Sequence, residues 1–195
     1  MTRPRKKTTA LAALFVGILL SFAFFGFSSS PSEDGGGLTG REIKWKSNQR
    51  LSWDDFKGKP DRFTYMDAVT ESGIVFNWSC DWSGFHTEVF AMFDPGKSWV
   101  KRSSASAYLL EHEQAHFDIT EIHARKLRKR LSELSNPCRM GSRGIQSIAD
   151  KVYKESAAMQ NLYDEETYHS KNRKKQAEWL KKISSELKRL ERWAK

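Results

Sequence analysis

Between Ser103 and Leu134, residues three or four apart form one stripe: Leu109, His112, His116, Ile119, His123, Leu127, Leu131 and Leu134. Apolar residues at this spacing specify a long helix with one buried face. The stripe also carries histidines into that face, which restricts what can pack against it. His112 and His116 are about one turn apart, with about 6 Å of rise between them, so both imidazoles can reach one ion. Glu113 is displaced from His112 by about 100° and can accept a proton from a metal-bound water without itself ligating the metal. This is the H-E-x-x-H arrangement of zinc hydrolases, two ligands and a general base on one turn. The plainer reading is a pair of core histidines bonded to backbone. Two at ligand spacing with a carboxylate between them would leave several polar groups to satisfy in a dry place, so the metal reading is preferred. Asp118 and Glu121 lie roughly 180–240° around the helix from His112. Glu121 stands at i,i+4 from Arg125, and this side reads as a solvated face.

A catalytic zinc site needs a third protein ligand and an open fourth position. His123 is about 10 Å of rise beyond His116, too far to share the ion. No glycine turn follows His116, which argues against the metzincin arrangement. The best candidate segment is Tyr163 to Ser170, at the end of the next helical stretch. His169 is the favoured ligand, with Asp164 orienting it. The reverse, Asp164 on the metal, is the competing assignment, since zinc accepts imidazole or carboxylate. Tyr163 or Tyr168 could donate a hydrogen bond to a developing oxyanion. His86, in a strand-like run between Phe85 and Thr87, reads as structural.

Several segments together resemble a bacterial envelope family. They are Trp53 to Pro60, Ala68 to Ile74, Trp78, Ser98 to Lys101, the run from Leu109 to Lys129, and Tyr163-Asp164 through Thr167 and His169. The family is the domain of unknown function 922, also described as predicted secreted zinc-dependent proteases. The resemblance spans roughly residues 40–180 and implies a zincin-like, metallopeptidase-type site. The sequence departs from the family at Ser170, where the family usually carries glycine.

The N-terminus reads as a targeting or anchoring segment. Arg3, Arg5, Lys6 and Lys7 (basic region 1–7) precede an uncharged apolar run over 8–27. That run, about 20 residues, is just long enough to span a bilayer. A signal anchor is preferred and a cleaved signal peptide is the alternative. The domain is then exported and membrane-anchored outside the cytoplasm, or secreted or periplasmic if cleavage occurs. Residues 28–40 form a flexible Ser/Gly tether. The formal charge of +9 includes the four basic residues of the n-region, and no acidic residue precedes Glu33. The remaining excess is modest, so a nucleic-acid partner has little support.

Residues 41–195 form one domain with a single core. The expected fold class is α+β, an N-terminal antiparallel β-sheet followed by three helices. Strands are expected over Arg41–Trp45, Tyr65–Val69, Gly73–Trp82 and Gly84–Phe93, which are rich in aromatic and β-branched residues. Trp45, Trp53, Trp78, Trp82 and Trp99 read as core and sheet packing, and the strand Phe85–Phe93 could offer an edge to an extended substrate. Helices are expected over Ser103–Leu134, Arg143–Glu166 and Lys171–Ala194. The last, basic and amphipathic over 171–194, would dock on the domain, pair with a partner helix or lie on a membrane surface. Cys80 and Cys138, the only cysteines, are expected to form a disulfide in an exported domain. The function these features predict is a zinc metallopeptidase of the cell envelope acting on peptide, protein or cell-wall peptide. The alternative is a membrane-tethered binding or scaffold protein with a structural zinc or an inactive site.

Overall fold

The computed structural model describes residues 42–60 and 63–194. The basic segment 1–7, the apolar run 8–27 and the tether 28–40 lie outside the described residues. Among the described residues, no helix is long and apolar enough to cross a membrane.

In chain order the elements are β1 (Ile43–Lys44), β2 (Ala68–Val69), β3 (Ser72–Asp81), β4 (Gly84–Phe93) and β5 (Trp99–Val100), then α1 (Ala107–Ser132), α2 (Gly141–Thr167) and α3 (Arg173–Arg189). The strands make an antiparallel sheet of order β1-β4-β3 and a separate antiparallel pair, β2-β5. The fold is therefore α+β, with the sheet before the three helices.

The two long strands are close to their expected ranges because each provides the other's ladder. Asp81 pairs with Gly84, and the hairpin closes through Trp82-Ser83. Gly84 has φ +128°, where a side chain would be strained. Asp81 accepts from the backbone N–H and the hydroxyl of Ser83, both at 2.7 Å, and His86 Nε2 lies 3.1 Å from the same carboxylate. His86 thus braces the hairpin. Trp82 lies in the turn rather than in the strand and is 99% exposed, so it does not pack in the core. Among the described residues, the strands expected over 41–45 and Tyr65–Val69 are two residues each, since their partners, the end of β4 and β5, pair with only two residues.

α1 starts four residues later than expected. Arg102–Ser104 forms a 3-10 turn, and the Ser106 hydroxyl caps α1 by accepting from Leu109 N–H at 3.2 Å. On one side, Phe117, Ala124 and Leu131 meet Val89, Ala91 and Phe93 of β4. On the other, Ala115, Ile119 and Ile122 meet Tyr163 of α2 and Trp179, Ile183 and Leu190 of the C-terminal segment. The C-terminal helix therefore docks on the domain. It ends at Arg189, and a 3-10 turn over Glu191–Trp193 follows.

This arrangement overturns the solvated face expected for Asp118 and Glu121. From His112 to Arg125 every residue is buried except His116, which is partly buried. The i,i+4 bond is present, with Arg125 Nε donating to Glu121 Oε1 at 2.9 Å, but both partners are inside. Arg128 adds a second bond to Glu121 at 3.1 Å. Asp118 accepts from Trp45 Nε1 and Gln114 Nε2, each at 2.8 Å. The sequence pattern missed this because the covering groups, Trp45, Leu51, Leu187 and Trp193, come from distant parts of the chain.

From Val89 to Phe93, β4 is not an open edge. β3 pairs along its full length, while β1 takes Phe93 and Met92 on the other side. There Trp45 N–H donates to Ala91 O at 3.0 Å and Arg128 Nε to Val89 O at 2.9 Å. The Cys80–Cys138 disulfide is formed, joining β3 to the 3-10 turn between α1 and α2.

His123 is fully buried on the α1 stripe. Its Nδ1 lies 2.9 Å from Ile119 O, and its Nε2 lies 3.2 Å from the Lys126 ammonium. Burial pushes its pKa down to about 4, so the folded state keeps it neutral where the unfolded chain would charge it. Unfolded chains bind the extra proton between about pH 6.5 and 4, so His123 costs stability progressively as pH falls through that window, up to about 3 kcal/mol. In thermal melts from pH 7.5 to pH 4.5, wild-type Tm is expected to fall more steeply than that of His123→Leu. Parallel slopes would refute this assignment.

Candidate metal centre

The site forms where the middle of α1 meets the end of α2. His112 Nε2 and His116 Nε2 are 3.2 Å apart. They lie 3.2 and 3.1 Å from one oxygen, Oδ1 of Asp164. Among the described residues, His112, His116 and Asp164 form a group able to hold a metal ion. Their spacing suits the donor set. Four ligands about 2.0 Å from a tetrahedral zinc stand about 3.3 Å from one another. Two imidazole nitrogens and a carboxylate oxygen at 3.1–3.2 Å match three corners of such a tetrahedron.

His169 stands beside this group rather than inside it. Its Nδ1 is buried, makes no hydrogen bond and lies 3.4 Å from Asp164 Oδ1. Its side chain is 40% exposed, and its ring meets Tyr65 edge-on at 6.0 Å. Of the two candidates for third ligand, the structure brings Asp164 into the cluster and sets His169 next to it.

The local backbone explains how His169 returns toward Asp164. α2 ends with Tyr168, His169 and Ser170 all left-handed, at φ 50°, 48° and 71°. The His169 N–H closes onto Asp164 O at 3.0 Å. Three consecutive non-glycine residues in this region are costly. Ser170 is the position where the family resemblance expects glycine. Ser170→Gly is expected to stabilise the protein by about 1 kcal/mol, raising Tm by about 2–4 °C. An unchanged or lower Tm would show that the turn does not strain this residue.

Buried groups around the cluster have displaced proton affinities. Burial pushes His112 down to about 4. It pushes His116 down too, but the hydrogen bond and charge of Asp164 outweigh it and raise His116 to about 9. Asp164 is lowered: burial opposes its ionisation, and the two imidazoles overcome that. The cluster thus attracts a single positive charge when no metal is bound. Glu113 is buried, which raises it to about 6, with the charge of His116 and the Thr70 hydrogen bond opposing the rise. The Thr70 hydroxyl donates to Glu113 Oε2 at 2.8 Å.

Tyr163 stacks on His112, ring centroids 4.7 Å apart, and its hydroxyl is buried without a partner among the described residues. Tyr168 is exposed. Thr70 and Gln160 escaped the sequence reading. Gln160 stands one turn before Asp164 on α2, where an i,i+4 step back from that residue would have reached it.

Fold and site define an α+β protein with a candidate His/Asp metal centre. Residues 94–170 match the family described as bacterial protein of unknown function (DUF922). The match contains every candidate ligand, and it is shorter than the resemblance over roughly 40–180. No curated protein and no solved structure matches the chain.

With zinc supplied, the purified domain is expected to bind about one ion per chain. His112→Ala and Asp164→Ala should abolish stoichiometric binding, as read by metal mass spectrometry, and His169→Ala should retain it. Loss in His169→Ala with retention in Asp164→Ala would reverse the ligand assignment.

Proposed function

We propose that the protein is a zincin-like zinc metallopeptidase of the cell envelope. The observation that carries this reading is the convergence of His112, His116 and Asp164 with Glu113 on the same helix turn. His112, His116 and Asp164 would hold the ion. Zinc bound there supplies Lewis acidity toward a peptide carbonyl and acidifies an attacking water.

The remaining chemistry belongs to the chain. Glu113 would take the proton of the attacking water and return it to the leaving amine. Thr70 holds its carboxylate through Oε2. Tyr163 keeps the His112 ring in place by stacking. Of the two tyrosines considered for the oxyanion, Tyr168 has the exposure to meet a substrate, whereas the Tyr163 hydroxyl is buried. The apolar run 8–27 and the disulfide support an exported domain outside the cytoplasm, acting on peptide, protein or cell-wall peptide.

A second reading is favoured by His169. With Nδ1 3.4 Å from Asp164 Oδ1, it is near enough to become a fourth ligand and close the site as a structural clip in an envelope scaffold protein. Glu113→Gln distinguishes the two. Under the enzyme reading it retains zinc and lowers kcat on peptide or cell-wall peptide substrates by at least about 10²–10⁴-fold. Zinc-loaded wild type with no hydrolysis above that of Glu113→Gln on either class would favour the clip.

A further inference from the structure

We propose that Gln160 is a positioning residue that fixes the tautomer of His116 and thereby presents Nε2 as the metal-binding atom. This rests on the metal-centre reading above and adds a residue that the reading does not contain.

The argument follows the hydrogen bonds from a group with no choice. The backbone oxygen of His116 can only accept, and Gln160 Nε2 donates to it at 2.9 Å. The same nitrogen donates to Thr120 Oγ1 at 3.2 Å. The Thr120 hydroxyl also lies 3.2 Å from His116 O and 2.7 Å from Ser72 Oγ, which leaves the donation from Gln160 to His116 O at 2.9 Å as the contact that decides. That contact sets the orientation of the amide. Gln160 Oε1 is then the atom 2.7 Å from His116 Nδ1. An amide oxygen only accepts, so Nδ1 carries the proton. In the neutral ring Nε2 keeps its lone pair, and this is the nitrogen that faces His112 Nε2 and Asp164 Oδ1. A ligating histidine needs such a partner to hold ring and tautomer.

The two ligand histidines are unequal in this respect. His112 Nδ1 is buried with no hydrogen-bond partner among the described residues, and its ring is held by stacking on Tyr163. At Nδ1, the nitrogen remote from the cluster, the hydrogen-bonded half of the pair is therefore His116. The bond also comes from α2, the helix that carries Asp164, so one contact couples ligand orientation to the docking of the two helices.

The test uses zinc affinity by chelator competition on the full chain, with side-chain ¹⁵N NMR of the zinc-loaded protein. Gln160→Leu removes the acceptor and is expected to weaken zinc binding about 10–100-fold. Gln160→Glu keeps an acceptor facing Nδ1 but loses both donors, and is expected to stay within a factor of about three of wild type. Wild-type spectra should show His116 protonated at Nδ1. Should Gln160→Leu fail to fold, Gln160→Glu and the spectrum still decide. Wild-type affinity in Gln160→Leu overturns the proposal. So does equal weakening in both variants, which would mean the amide donors merely tie the helices together, and so does a proton on Nε2. Wild-type protein that takes no zinc overturns the metal reading along with it.

Discussion

The structure depends on burying α1 on nearly every side while it still carries charge. Glu113, Asp118, Glu121 and Arg125 are all inside, alongside two buried histidines, His112 and His123. Taking a charge out of water costs several kcal/mol, and only close, well-bonded partners offset it. Asp118, Glu121 and Arg125 have such partners, drawn from all parts of the fold, whereas the Glu113 carboxylate accepts from the Thr70 hydroxyl. Glu121 is held by Arg125 and Arg128. Those arginines reach on to Leu187 O at 2.6 Å, Trp193 O at 2.5 Å and Val89 O at 2.9 Å. One carboxylate therefore ties the C-terminal segment and β4 to the same helix. Sliding α1 by even part of a turn would strand these charges, so the histidines above them sit on a rigid support.

Asp164 plays the corresponding part at the end of α2. His112, His116 and His169 all direct a nitrogen to within 3.4 Å of its Oδ1. A carboxylate oxygen ringed by three imidazole nitrogens favours a bound cation, a proton or a metal, that these groups can share. The left-handed run Tyr168–Ser170 brings the last of these nitrogens back over the cluster. Backbone strain held at a polar cluster is characteristic of functional sites, where the surroundings over-determine the conformation.

How much of this was legible in the sequence varied with how local each determinant is. His112, Glu113 and His116 share one helix turn, and 3.6-residue periodicity places them without knowledge of anything else. β4 and the β3–β4 hairpin were also legible, since two β-rich runs joined by a short turn pair with each other. The third ligand was not decided, because His169 and Asp164 are five residues apart and only the left-handed turn after α2 sets their relation. The solvated reading of Asp118 and Glu121 failed for a related reason. Periodicity records that a face is polar, and charged residues are seldom buried. Whether Trp45 and Leu187 return to cover that face is a property of the tertiary fold. Thr70 on Glu113 and Gln160 on His116 are contacts across 43 and 44 residues; no local pattern points to Thr70, and Gln160 is reached only by stepping one helix turn back from Asp164.

Exposure is graded across the cluster, and the gradient bears on what the centre is for. The side chain of His112 is 3% exposed, His116 13%, Asp164 22% and His169 40%. A structural clip gains from keeping every ligand dry, because competing water weakens each bond. A catalytic centre needs the opposite on one side only: a dry floor that fixes the ligands and a wet mouth through which substrate reaches the ion. Here the floor is His112 on Tyr163, and the mouth is on the His169 side, beside the exposed rings of Tyr65 and Tyr168. Glu113 sits on the dry part, where burial raises its carboxylate in the metal-free protein. Under the proposed enzyme reading, this asymmetry puts the general base on the dry floor and the substrate at the wet mouth.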